Sequence, residues 1–213
     1  MITLPGVNQS EFFHCHGVDL PIISNGLNRM RGAVIKGSIG LLTFHSADIS
    51  GHARRVAALS VQLACILGVA EREVLYVQWG ALLHDIGKIR IPQAILDKPG
   101  ALDAHERAVI ERHPVHGYNL LAAIPFLAPA LDVVLYHHER WDGTGYPDKL
   151  RGADIPLSAR ICAVVDTWDA LCSDRSYRKA WPAPRAWSYM VEHSGTCFDP
   201  EIVQAFSALL SAA

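Results

Sequence analysis

The segment VLYVQWGALLHDIGK, residues 74–88, decides how this chain folds. Its apolar residues recur near the 3.6-residue period of a helix. The helix runs into His84 and Asp85, two neighbours that cannot both face one apolar stripe. Imidazole and carboxylate bind intermediate to hard divalent ions, and an aspartate has two oxygens with which to bridge a pair of them. Alone, the pair is a weak signal, because chance His-Asp dipeptides are common.

Helical patterns flank this segment on both sides. Upstream, apolar residues share one face of a helix that Ser46 or Ser50 caps and Gly68 ends. Downstream, Asp103 caps a helix. Loops rich in glycine and proline are predicted, and further helices follow the same periodicity. The loops are 89–100 and 139–156, and the helices are 113–124, 126–138, 158–172, 184–193 and 199–210.

No alternating strand pattern, repeat or low-complexity tract interrupts these helices. The sequence therefore predicts a single all-α domain of roughly seven to nine helices. Residues 1–44 form an N-terminal arm and a leading helix, and residues 45–213 form the main domain. With 213 residues, half of them hydrophobic, the chain can bury one full core.

Composition excludes several classes of protein. A net charge of -2 gives no electrostatic case for binding polymeric nucleic acid. No apolar run approaches the ~20 residues of a membrane helix, and the start lacks a secretory signal. The five cysteines are odd in number and scattered, which indicates free thiols. These features predict a cytoplasmic protein with no membrane contact.

Four further sites place histidine or aspartate at or inside apolar helical segments. His52 lies inside the upstream helix, and His113 stands at a helix start before a proline. The pair at 137–138 closes an apolar helix, and Asp166 interrupts the run ICAVVDTW. A lone buried histidine or aspartate is usually a hydrogen-bonded core residue. Five such sites in one small domain are harder to explain so, because buried charges are costly unless paired or metal-bound.

Three segments carry a family resemblance: HDIGK at 84–88, HHERWDGTGYP at 137–147 and DTWDALCSDRSYRKAW at 166–181. They resemble the HD-GYP subgroup of the HD phosphohydrolase superfamily, and HARRVA at 52–57 and HPVHG at 113–117 fit the same pattern. The resemblance implies a helical domain with a metal centre that hydrolyses cyclic di-GMP.

The resemblance also implies the metal ligands. The first ion would take His52, His84, Asp85 and Asp166, and the second would share Asp85 and add His113, His137 and His138. It implies two divalent ions, iron or manganese first, with zinc and nickel as alternatives. Asp85 and Lys88 would be the catalytic residues, with water as the nucleophile.

Substrate contacts are expected from both sides of this centre. Lys88 follows Asp85 by one turn and would hold a phosphate oxygen as a point charge. Arg175 and Arg178 match the family positions that contact the nucleotide phosphates. Tyr146 would stack on a guanine or donate to phosphate, in a loop whose glycines permit positive φ and close approach. The resemblance links the 139–147 loop to GGDEF-domain cyclases.

Asp48 marks a departure from one family pattern. Members with three metals carry glutamate four residues before the first ligand histidine, where this chain has Asp48. The shorter side chain predicts two ions, with Asp48 as a hydrogen-bond partner of His52 or a helix N-terminal charge. With two ions instead of three, fewer contacts hold the linear intermediate for a second cut. We therefore expect pGpG as the main product and GMP as a slower second product.

Three alternatives stay open at this point. The chain could be an HD phosphohydrolase that acts on another nucleotide or another cyclic dinucleotide. It could be a catalytically weak receptor that binds cyclic di-GMP and signals through a partner. It could also be a helical scaffold with incidental histidines. Bound metal and nucleotide turnover, measured on one sample, distinguish the three.

Overall fold

The fold of the chain is seen in a computed structural model that describes residues 37, 47–174 and 179–211. Within these residues lie eight α-helices of six residues or more, one single-turn helix and three 3-10 turns, and no extended strand. The all-α prediction is confirmed. The helices are α1 (Ala47–Ile66), α2 (Glu71–Leu83), α3 (Gln93–Leu96), α4 (Ala104–Ile110), α5 (His113–Leu121), α6 (Leu131–Tyr136), α7 (Leu157–Cys172), α8 (Ala183–Glu192) and α9 (Pro200–Ser211).

Two helix ends follow the capping rules that the sequence indicated. Gly68 ends α1 with φ of 71°, a left-handed conformation that glycine adopts without a steric penalty. Asp103 begins α4 with a capping box, because Glu106 N donates to Asp103 Oδ1 and Asp103 N donates to Glu106 Oε2, both at 2.9 Å. Of residues 1–44, the structure describes residue 37 alone. The expected N-terminal arm and the domain boundary after residue 44 therefore stay predictions.

Two predicted elements were wrong in detail. The single helix expected over 126–138 is a 3-10 turn, Pro125–Ala130, followed by the shorter helix α6. Pro129 lies inside the turn, where it lacks the N–H that an α-helix requires. The loop expected over 89–100 begins as the 3-10 turn Ile86–Arg90 and contains α3.

Two apolar clusters hold the helices together. The larger cluster joins α1, α2, α7, α8 and α9 around buried residues such as Leu63, Ile161 and Phe206. The smaller cluster packs the end of α2 on α6 and the 125–130 turn through Trp79 and Val134. Because α2 belongs to both clusters, its last residues lie at their junction. The His-Asp pair follows at this point.

None of the helices in the described ranges is both long and apolar enough to cross a membrane.

Candidate metal centre

His84 and Asp85 are fixed where α2 ends. His84 continues the helical backbone at the C-cap, and its Nδ1 lies 2.7 Å from the carbonyl oxygen of Ala81. A carbonyl only accepts, so Nδ1 carries the proton and Nε2 is left with a lone pair. That buried Nε2 has no hydrogen-bond partner among the described residues. It lies 3.4 Å from Asp85 Oδ2 and 3.8 Å from Asp166 Oδ1.

The imidazoles of His113 and His137 are oriented in the same way from two other elements. Nδ1 of His113 donates to Ile110 O at 2.8 Å, and Nδ1 of His137 faces the carbonyls of Val133 and Val134 at 3.1 Å. Their Nε2 atoms are 3.2 Å apart and face each other. Two lone pairs at this distance repel each other unless a cation lies between them.

His138 completes a second group, together with His113 and His137. The nearest ring nitrogens of His113, His137 and His138 lie within 4.8 Å of one another. Burial lowers the pKa of His138 to about 3 and holds the pKa of His137 well below its ordinary value. Both rings are therefore neutral at pH 7, which is the form that binds a metal ion.

His52, on α1, belongs with His84 and Asp85 to a first group, and it lies between two aspartates of α7. Its Nε2 is 3.0 Å from Asp166 Oδ1, and its Nδ1 is 2.7 Å from Asp169 Oδ2. Burial opposes the charged ring, but the hydrogen bonds to both aspartates raise the pKa of His52 to about 9. The two carboxylates thus favour a positive charge at this position, which a proton or a metal ion can supply.

Asp85, a member of the first group, turns one oxygen toward a histidine of each group. Oδ1 is 3.3 Å from His113 Nε2, whereas Oδ2 is 3.4 Å from His84 Nε2. Burial raises the pKa of Asp85, but Lys88, with Nζ at 2.6 Å from Oδ2, and the nearby histidines hold that pKa well below its ordinary value. The carboxylate is therefore ionised, with both oxygens available as ligands.

These residues fit divalent metal ions. Ligand atoms of His52, His84 and Asp85 lie within 4.8 Å of one another, as do those of the second group. A metal ion would satisfy the unpartnered Nε2 of His84 and the facing Nε2 atoms of His113 and His137. A second ring nitrogen held by a carbonyl or carboxylate is the usual arrangement of metal-binding histidines.

The 139–148 loop folds back over the second group. Tyr146 stacks on the ring of His138 with a centroid distance of 4.9 Å, and Tyr146 N donates to His138 O at 3.3 Å. Gly143 has a φ of 79°, as its sequence predicted. Gly145 serves close approach instead, because a Cβ there would overlap the backbone of the residues at 139–140. The loop thus covers the centre with an aromatic ring.

Several expected residues lie outside the part of the chain that the structure describes. Arg175 and Arg178 are among them, and so is the side chain of Asp48. The nitrogen of His52 for which Asp48 was a candidate partner is held by Asp169. Lys88, expected on a phosphate oxygen, lies beside Asp85, with its side chain 23% exposed.

Sequence reasoning missed Asp169 and Glu139. Asp169 is the second aspartate of DTWDALC and Glu139 the third residue of HHERWDGTGYP, so both stood in motifs that were quoted for other residues. Glu139 is buried, and its Oε1 accepts from Asp148 N at 2.7 Å, which ties the loop to the end of α6. Its Oε2 has no partner within the described ranges.

We expect Gly87→Ala to disrupt the second histidine group. A Cβ at Gly87 would overlap the carbonyl oxygen of His113 and lie 2.5 Å from Gly117 N, so α5 must move away from Asp85. Such overpacking should cost about 1–3 kcal/mol of unfolding free energy and reduce bound metal. Thermal unfolding measures the stability and elemental analysis measures the metal, with Gly37→Ala, where an added Cβ meets no described atom within 4 Å, as control. Wild-type metal content in Gly87→Ala would show that the close contact between Gly87 and α5 is not needed to position His113.

Comparison with known proteins identifies the family. A model of the HD domain matches residues 38–202. The response regulator RpfG of Xanthomonas campestris, named a cyclic di-GMP phosphodiesterase, is 42% identical over 77% of this chain and 44% of its own length. A cyclic di-GMP phosphodiesterase of Thermotoga maritima is 39% identical over 79% and 46%. A 3′3′-cGAMP-specific phosphodiesterase 2 of Vibrio cholerae is 38% identical over 75% and 31%.

Solved structures share the fold. An HDG"Y"P protein of Bdellovibrio bacteriovorus matches with a TM-score of 0.63 at 25% identity, over 76% of this chain and 52% of that chain. The HD domain of the Listeria monocytogenes phosphodiesterase PgpH matches with a TM-score of 0.58 at 17% identity, over 82% and 95%, which bears on the fold alone. The chain spans less than half the length of the curated relatives named above. The chain belongs to the HD domain family, in its HD-GYP subgroup.

Proposed function

We propose that this domain is a metal-dependent phosphodiesterase that hydrolyses cyclic di-GMP, mainly to linear pGpG. The observation that carries the proposal is the position of Asp85, whose two oxygens face two separate histidine groups. The names of relatives 39–42% identical to the chain support the substrate.

The centre is proposed to hold two divalent ions. His52, His84 and Asp166 would hold the first, while His113, His137 and His138 would hold the second, and Asp85 would be shared between them. The imidazole and carboxylate set suits iron or manganese, with zinc and nickel as alternatives. When bound, such ions make a water molecule nucleophilic at neutral pH and offset charge on a phosphoryl group.

The chain's own residues position the substrate in this proposal. Lys88 lies beside Asp85, so its ammonium group can offset negative charge on a phosphate oxygen. Tyr146, stacked on His138, offers an aromatic face to a guanine at the edge of the centre. No side-chain nucleophile is required, and Asp85 serves as a ligand that also orients the attacking water.

The test combines turnover with metal content on one sample. Protein stripped with a chelator is reloaded anaerobically with Mn²⁺ or Fe²⁺ and supplied with cyclic di-GMP. We expect hydrolysis by the loaded protein and none by the stripped protein. Tight binding without turnover under every metal would favour the receptor alternative. Neither binding nor turnover would favour another nucleotide as substrate.

A second candidate substrate is 3′3′-cGAMP, because relatives 38% and 36% identical are named for it. The two cyclic dinucleotides differ in one base only, so the metal centre can serve both. Discrimination then depends on contacts to the base. The ratio of the kcat/KM values for the two substrates, measured under one metal, decides between them.

We expect Arg175→Ala and Arg178→Ala to weaken substrate binding or turnover while metal content stays near wild type. Each lost charge-assisted contact to phosphate should cost roughly 1.5–3 kcal/mol if it is desolvated. Calorimetry on metal-loaded protein measures the affinity, and elemental analysis measures the metal. Loss of metal with unchanged affinity after reloading would show that the phosphates bind elsewhere.

We expect pGpG to accumulate before GMP. Asp48 is shorter by one methylene than the glutamate of members with three metals, so we expect two ions here. Two ions offer fewer contacts to the linear intermediate than three would. A time course resolved by chromatography measures the order of the products. GMP as the dominant early product, or anomalous diffraction from a third ion bound by Asp48, would contradict this prediction.

The 139–147 loop is proposed as a contact surface for GGDEF-domain cyclases. Its first half is fixed by main-chain hydrogen bonds, from Trp141 N to Cys197 O at 3.2 Å and from Asp142 N to Thr196 O at 2.9 Å. The Arg140 side chain is 40% exposed beside Asp142, so the surface is polar and preformed. Calorimetry with a purified GGDEF domain tests the contact.

A further inference from the structure

Asp169 joins His52 to Arg55 in a buried carboxylate bridge. Asp169 Oδ2 accepts from His52 Nδ1 at 2.7 Å. Arg55 donates from Nε to Asp169 Oδ1 at 2.6 Å and from Nη2 to Asp169 Oδ2 at 2.9 Å. The paired contact fixes the plane of the carboxylate, and the carboxylate in turn fixes the His52 ring. His52 is thereby held with Nε2 turned toward Asp166.

The other oriented histidines of the centre are held differently. His84, His113 and His137 donate from Nδ1 to main-chain carbonyls within three or four residues of themselves. A carbonyl is neutral, whereas Asp169 is a charged acceptor contributed by a distant helix. A charged acceptor holds the ring more strongly and makes its free nitrogen a stronger donor to a metal.

The two groups also differ in charge. The first group includes Asp85 and lies beside Asp166, 3.0 Å from His52 Nε2, while the second consists of three imidazoles and shares Asp85. A buried divalent ion is stabilised by anionic ligands, because they compensate for its lost hydration. Both differences predict that the first group binds a divalent ion more tightly than the second group does.

We infer that Asp169, held by Arg55, is a positioning residue that makes the His52 group the tighter of two metal sites, which therefore fills first. The inference rests on the metal assignment of the proposed function and deepens it. It predicts stepwise loading, and it predicts that Asp169 controls the first step without contacting the ion.

Titration of stripped protein with Co²⁺ alone, followed by calorimetry and by visible absorption, tests this inference. Wild type should show a tight step and a weaker step. Asp169→Ala should weaken the tight step by about 10–100-fold and leave the weaker one. Asp169→Asn, which keeps the shape but not the charge, should weaken it by at least about tenfold and serves if the alanine variant fails to fold. His138→Ala should remove only the weaker step, which identifies the sites.

A matched control is Asp199→Asn. Asp199 is also buried and paired with an arginine, Arg160, at 2.5 Å, but no histidine of the centre contacts it. The Asp199→Asn variant should lower the melting temperature of stripped protein and leave both Co²⁺ binding steps unchanged. An unchanged tight step in Asp169→Asn, or equal weakening in Asp199→Asn, would overturn the inference. The titration contains no nucleotide, so its outcome does not depend on whether the protein hydrolyses cyclic di-GMP.

Discussion

Replacing Asp85 with alanine is expected to lower cyclic di-GMP hydrolysis by several orders of magnitude and to reduce bound metal. Asp85 is 3% exposed and turns its two oxygens toward separate histidine groups, so its loss affects both proposed ions at once. It also leaves Lys88 without its carboxylate partner. Within the part of the chain that the structure describes, no other carboxylate turns one oxygen toward each histidine group.

Turnover under saturating Mn²⁺ and metal content measure the Asp85→Ala effect. His84→Ala should act in the same direction. Asp97→Ala, an exposed aspartate on the next segment of chain, is the control and should match wild type. Turnover within a factor of ten of wild type in Asp85→Ala would contradict the bridging role and with it the two-ion centre.

Lys88→Met is expected to lower kcat by about 10²–10³-fold, the usual cost of removing one preorganised electrostatic contact to a developing charge. Methionine keeps much of the length and apolar stem of lysine but not the ammonium group, which lies 2.6 Å from Asp85 Oδ2. Because Lys88 is not a proposed ligand, metal content at saturation should stay near wild type.

Steady-state kinetics at full metal loading separate kcat from KM for Lys88→Met. Lys98→Met removes a lysine that pairs with Glu106, away from the centre, and should leave both constants unchanged. If Lys88→Met kept the wild-type kcat, Lys88 would be a counter-ion of Asp85 alone, with no part in holding the substrate.

The sequence indicates where the candidate centre lies, because its residues interrupt strong apolar periodicity. His52 and Asp166 lie within helices, and His84 and His137 follow the last residues of α2 and α6, as their positions in apolar segments indicated. Such residues stand out against a helical background. The prediction of an all-α domain succeeded for the same reason, since its longer helices carry clear patterns.

The contacts between distant segments could not be predicted in this way. Asp169 meets His52 across 117 residues, and periodicity carries no signal for such a pairing. Gly145 was expected to permit positive φ and close approach by a ligand or partner, but the close approach there is made by the chain's own backbone at residues 139–140. Pro129 is a different case, because its missing N–H is visible in the sequence and gives a local reason for a 3-10 turn where a longer helix was expected.

The proposed metal ligands come from separate elements that span residues 52 to 166, so an ion bound among them would act as a cross-link across most of the domain. An ion at 100 times its dissociation constant adds about 2.7 kcal/mol to folding stability, a large part of what a domain this size has. Metal starvation would then lower the amount of folded protein as well as its proposed activity, because the loosened chain is open to proteases. If the domain hydrolyses cyclic di-GMP as proposed, a cell short of metal would accumulate this nucleotide by losing the protein that removes it.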